Sequence, residues 1–147
     1  MLFRTILAVL AVAFGVTAVI AQSDPVTTRE NLMKENNRQA GIVVKMMRGQ
    51  APYDPAAADA AFAQWADTAK QLPALFPDNA KTGGDNRASP KIWENKKDFE
   101  AKIAEFAKAV DENHGKAKES LDGLKAAVAA VGKSCDDCHK DYRLTKR

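Results

Sequence analysis

Leu121, Leu124, Val128, Val131, Cys135, Cys138 and Tyr142 follow one another at steps of three, four, three, four, three and four. Such steps return to one face of a helix with 3.6 residues per turn. A helix with one apolar stripe must bury it against a neighbour, so this stretch commits the chain to helix-on-helix packing. The same stripe carries the chain's two cysteines, and His139 directly follows the second. Cys135-Asp136-Asp137-Cys138-His139 is C-x-x-C-H, the attachment signature of c-type haem. On a helix, positions i, i+3 and i+4 share a face. Both sulfurs can then form thioethers with the vinyl groups on one porphyrin edge, and the imidazole reaches the iron as proximal ligand. The expected cofactor is one covalently bound haem c per chain.

Other uses of the two cysteines compete with this reading. A thioredoxin-like redox pair needs a βαβ pattern, and none is visible. A structural zinc site needs four ligands, and His114 is the one remaining histidine, distant in sequence. A structural disulfide is the third alternative. Gly132, three residues before Cys135, costs a helix about 1 kcal/mol relative to Ala. Close approach of a flat porphyrin or close helix packing would each account for it.

The N-terminus reads as a targeting segment. Arg4 precedes an apolar run from Ile6 to Ile20, and Val19 and Ala21 are small residues where a signal peptidase reads. The expectation is a cleaved signal peptide over 1–21, a single domain over 22–147 with no membrane span, and a periplasmic location. Covalent haem attachment in bacteria takes place outside the cytoplasm, which agrees. Without Arg4 the chain carries 21 basic and 19 acidic residues, a balance that two haem propionates would neutralise. Nucleic-acid binding has no support from charge.

Thr27 or Thr28 is the expected cap of a first helix with apolar residues at Leu32, Met33, Ala40, Val43, Val44 and Met47. Gly49 with Pro52 and Pro55 ends it. Asp54 caps a second helix with Pro55 at its first position, and Ala58, Phe62, Trp65, Ala69 and Leu72 form its buried stripe. A long connection from Leu72 to Pro90 is rich in turn formers, with Leu75 and Phe76 tucked beneath it. Ser89-Pro90 opens a third helix carrying Ile92, Phe99, Ile103, Phe106 and Val110, ending near His114-Gly115, with His114 as a surface residue. The fourth helix is the one described first. The fold class is therefore all-α: an antiparallel up-down-up-down four-helix bundle with haem in its core.

The second axial position decides the function. At 1.5 Å per residue His139 and Met33 lie at similar heights, each about 10 Å from the same end of the bundle, while Met46 and Met47 lie about 20 Å further along. Met33 is thus the expected distal ligand, whose thioether would raise the potential toward electron transfer. The alternative is a methionine that only packs over an open iron site. Arg29, one turn before Met33, suits haem propionates, or is a solvated surface residue. Arg143, one turn after His139, would block proximal access and tune the iron's field, or belongs to a solvated tail.

With these residues in hand, the chain resembles the class II c-type cytochromes, the cytochrome c′ family, over essentially its whole length after residue 21. The resemblance rests on C-x-x-C-H near the C-terminus followed by Tyr142-Arg143, whereas class I cytochromes c carry the motif near the N-terminus. It rests also on Gly132-Lys133, on Gly49-Gln50-Ala51-Pro52-Tyr53-Asp54, on Pro90-Lys91-Ile92-Trp93, and on the pair Arg29 and Met33. Leu32-Met33-Lys34, Leu72-Pro73 with Leu75-Phe76-Pro77-Asp78, and Phe106 to Asp111 resemble the low-spin, methionine-ligated branch most closely. The resemblance implies that Ile92 and Phe99 touch the haem. The expected function is a periplasmic monohaem electron carrier with His139 and Met33 on the iron, exchanging electrons with redox partner proteins. The alternative is a five-coordinate protein that sequesters nitric oxide or carbon monoxide. No acid–base or nucleophilic constellation appears, so no enzyme activity is expected. A homodimer through helices one and two is left open.

Overall fold

A computed structural model describes residues 24–145; the expected signal peptide over 1–21 lies outside the described residues. Helix α1 spans Pro25–Met47, α2 Pro55–Gln71, α3 Lys91–Glu94, α4 Lys96–Ala117 and α5 Leu121–Tyr142. Two short 3₁₀ turns, Leu72–Leu75 and Asp78–Ala80, interrupt the long connection. The four long helices form the antiparallel bundle expected from their apolar stripes. Helix α4 packs most extensively on α5, α2 packs against both α1 and α4, and α1 touches α5 more sparingly.

The starts of α1 and α2 use one device. Asp24 and Asp54 each precede a proline at the first helical position, and each carboxylate accepts backbone N–H groups of the first turn, from Thr27 and from Ala56 and Ala57. These bonds satisfy donors that a helix start leaves orphaned. The cap of α1 is therefore Asp24 and neither threonine; Thr27 instead donates its N–H and hydroxyl to Asp24 Oδ2, both at 2.9 Å. Gly49, at φ +71°, ends α1 in the left-handed region that a side chain would strain.

The expected third helix is two helices. Asn95, at φ −125° and ψ 49°, breaks the path between α3 and α4. Ile92 and Phe99 stay buried on both sides of the break, at 2% and 5% exposure. His114, expected at the surface, is half-buried: its Nε2 lies 2.8 Å from Asp59 Oδ1 and its ring stacks on Phe62. Lys118 donates to the same Asp59 oxygen, tying the end of α4 to α2.

The apolar interior divides in two. The larger cluster contains Val43, Met46, Ala58, Ala61, Phe62, Trp65, Phe106, Val110, Leu124, Ala127 and Val131. The smaller one joins Leu72, Ile92, Phe99, Ile103 and Tyr142 at the opposite end. At that end the chain after α5 is stitched to the long connection. Ser89 N–H donates to Tyr142 O at 3.0 Å, Leu144 N–H donates to Arg87 O at 2.8 Å, and the Arg87 guanidinium returns to Leu144 O. Ala88 and Arg143 form an antiparallel bridge there.

Candidate haem site

The C-x-x-C-H turn lies at the border between the two clusters. Cys135 packs against the larger and Cys138 against the smaller. Both thiols are free, so the disulfide alternative is not formed. Among the described residues no group of three or more His, Cys, Asp and Glu side chains is placed to hold a metal ion, which leaves the zinc alternative without a ligand set. Burial pushes both thiols up to about 11, with the Asp136 carboxylate adding to the effect at Cys135 and Lys102 opposing it at Cys138. They are therefore neutral thiols at neutral pH. Burial, then the cations Arg143 and Arg87, hold His139 below its usual range against the opposing pull of Asp136. The imidazole is accordingly kept neutral, with a lone pair free to bind a metal.

Residues of α1, α3, α4, α5 and the long connection meet at the smaller cluster, against which Cys138 packs. Met33 of α1, Phe76 of the connection, Trp93 of α3 and Ala88 pack against the smaller cluster beside Cys138. Ile92 and Phe99 belong to that cluster. Phe99 stands edge-on to Phe76 at 4.7 Å and to Tyr142 at 5.1 Å between ring centroids. A cavity of about 10 Å³ lies among Phe76, Ile92, Trp93, Phe99 and Ile103, so a flat macrocycle entering this end would displace side chains. Met46 lies in the other cluster, its sulfur accepting the Asp54 N–H at 3.2 Å.

Two arginines behave differently. Arg29 is 5% exposed, which excludes the solvated alternative. Its Nη1 donates to Leu75 O at 2.9 Å, and its Nη2 to Ala80 O at 2.9 Å and Asn86 Oδ1 at 2.7 Å. Arg143 is exposed, and its backbone N–H donates to His139 O at 3.2 Å. Gly132 is not explained by close helix packing, because a Cβ there would meet nothing within 4 Å. Sequence reasoning missed Phe76 as a site residue, and missed the hydroxyl of Tyr142, which donates to Asp98 Oδ2 at 2.5 Å and ties α5 to the start of α4.

Two thiols and a neutral imidazole at i, i+3 and i+4, next to an aromatic cluster outside the main core, form a donor set that fits haem. The family model described as cytochrome c′ matches residues 24–143. The chain belongs to the cytochrome c′ family. It is 42% identical over 146 residues to cytochrome c-556 of Rhodopseudomonas palustris, covering 97% of each chain. It is 37% identical over 135 residues to cytochrome c′ of the same organism, covering 92% of each. The solved structure of Rhodopseudomonas palustris cytochrome c′ superimposes with a TM-score of 0.80 at 36% identity, over 86% of this chain and 100% of that one.

Membership supports a covalently bound c-type haem, and members carry electrons or gases without catalysing a reaction; the chain is not an enzyme. It also corrects the expected function. The family typically holds a five-coordinate, high-spin iron through one histidine, and the likeness to cytochrome c′ in both sequence and structure overturns the low-spin, Met33-ligated electron carrier. The physical reason is that height along the bundle places Met33 near the site, but a methionine in an apolar cluster has packing enough to account for it. No described helix is long and apolar enough to cross a membrane.

Proposed function

We propose that this protein binds small neutral gases, nitric oxide or carbon monoxide, at a five-coordinate haem c in the periplasm. Haem, when bound, supplies an iron that accepts a diatomic molecule. The chain's own part follows from its residues. Cys135 and Cys138 hold one haem per chain by thioethers, and the neutral imidazole of His139 is the proximal ligand. The exposed cation of Arg143 lies beside His139 and helps to keep that imidazole unprotonated. Ile92 and Phe99 line the apolar side, and Met33 packs there without binding the iron. Arg29 has committed three of its five donors to protein oxygens and offers the remainder to a propionate.

The observation that carries the reading is the cluster on which Cys138 opens: Leu72, Ile92, Phe99, Ile103 and Tyr142, with Met33 and Phe76 against them. Such a lining excludes water and ions, which lose hydration on entry, and admits neutral diatomics. Removal of residues 1–21 by a signal peptidase and self-association through α1 and α2 belong to the same reading.

The test is paramagnetic resonance of the ferric protein and carbon monoxide uptake by the ferrous protein. Wild type should be high-spin and bind carbon monoxide readily, and Met33→Ala should keep that spin state. A low-spin wild type that turns high-spin in Met33→Ala would refute the reading. Acid–acetone should extract haem from the Cys135→Ala/Cys138→Ala double variant and leave it in wild type.

A further inference from the structure

Arg29 is a buried cation whose hydrogen-bond acceptors among the described residues all belong to one strap of chain. Leu75 O, Ala80 O and Asn86 Oδ1 accept its three bonds, at sequence separations of 46, 51 and 57 residues. Its guanidinium also lies over the Phe76 ring, 4.9 Å from the centroid. Phe76 is the strap residue that enters the cluster beside Cys138 and lines the small cavity there. On its other side the strap is held by α3: Trp93 Nε1 donates to Pro77 O at 3.3 Å, and Lys81 lies over the Trp93 ring.

Asn86 is the junction of this arrangement. Its Oδ1 accepts from Arg29 and from Ala88 N–H at 3.0 Å, while its Nδ2 donates to Lys81 O at 2.6 Å. Between the anchors the strap is exposed from Lys81 to Asp85, and Gly83 and Gly84 have φ of +108° and +55°. Glycine adopts such angles without a steric cost, so this stretch is where the strap can bend.

We propose that Arg29 is the latch of a gate: it clamps the segment from Leu75 to Asn86 over the apolar cluster, and its grip sets the rate at which a small neutral ligand reaches the site. The assignment rests on the gas-binding reading above. A charged guanidinium bonded to three oxygens of one segment is a firm fastening, because charge-assisted bonds are about twice as strong as neutral ones. Local opening of a strap is governed by the bonds lost in opening, so removing the latch should act on access and leave the iron's own ligation untouched.

The holoprotein is compared as wild type, Arg29→Met, Asn86→Ala and Asn86→Asp. Asn86→Ala removes the loop side of the latch without altering α1. Asn86→Asp keeps the oxygen that accepts from Arg29 and Ala88. Two quantities are read: hydrogen exchange of the amides from Asp78 to Ala88 by mass spectrometry, and the carbon monoxide association rate after flash photolysis. Arg29→Met and Asn86→Ala should each raise both by about tenfold or more, the effect of losing roughly 1.4 kcal/mol of closure, and Asn86→Ala, which touches no group given to the haem, should keep the ferric spin state of wild type. Asn86→Asp should stay within about threefold of wild type. Faster exchange with an unchanged association rate would overturn the gate, since the strap would then open without controlling entry. Unchanged exchange would overturn the latch itself. A wild type that is low-spin and refuses carbon monoxide would overturn the gas-binding reading, and the gate with it; that outcome is told apart from the others by the wild-type spectrum alone.

Discussion

Leu124→Ala tests whether the two clusters are energetically separate. Leu124 is fully buried in the larger cluster, among Ala58, Ala61, Ala117 and Ala127, all at 0% exposure. Alanines have no side-chain torsion with which to swing into a gap, so the site recloses poorly. The loss should fall in the upper part of the range for such substitutions, about 3–5 kcal/mol. For a domain of this size that is a fall in Tm of about 10 °C or more. Leu124 lies eleven residues before Cys135, about 16 Å along the helix axis, and the haem motif faces the other cluster through Cys138. Guanidinium unfolding of the holoprotein, followed by circular dichroism, should show a lower midpoint with an unchanged slope, while the Soret band and ferric spin state match wild type. A loss under about 1 kcal/mol would show that the cluster does reclose. A spectral change accompanying the loss would show that packing near α2 is felt at the iron, and the division of the interior would be refuted.

The bond to Asp98 pushes the Tyr142 phenol up to about 12, with burial adding to it. Its folded value is raised, so the stability it contributes is present below pH ~10 and lost as the pH climbs from there to about 12; Asp98→Asn should bring the phenol's titration, followed by ultraviolet difference absorbance, back down. Gly123→Ala would set a Cβ on the Lys116 carbonyl oxygen at the turn between α4 and α5. The clash outweighs the gain in helix propensity, for a net loss of about 1–2 kcal/mol in a denaturant titration.

The bundle was legible because its signals are local and periodic: the Asp54-Pro55 cap, the stripe of α5 and the glycine after α1 each declare an element within a few residues. Asp24-Pro25 is the same cap signal as Asp54-Pro55, and reading it as such would have found the start of α1. The break at Asn95 was hidden by a coincidence of spacing. Ile92 and Phe99 are seven apart, two turns of an unbroken helix, and they remain buried together after the chain has kinked. The destination of Arg29 had no local signal, since its acceptors are carbonyls more than forty residues away. Height along the bundle put Met33 at the correct end, but whether a thioether binds iron depends on a close approach that no spacing encodes.

His139 stands in the last turn of α5, where a helix normally frays because its final carbonyls lack partners within the helix. Here Tyr142 O receives the Ser89 N–H, and Leu144 is paired in both directions with Arg87. The few residues after α5 thus serve as a hem for the turn that presents the imidazole. A chain cut after Tyr142 would keep the whole C-x-x-C-H motif and still loosen the imidazole of His139, because the carbonyl of His139 would lose its bond from Arg143 and the connection would lose its seam.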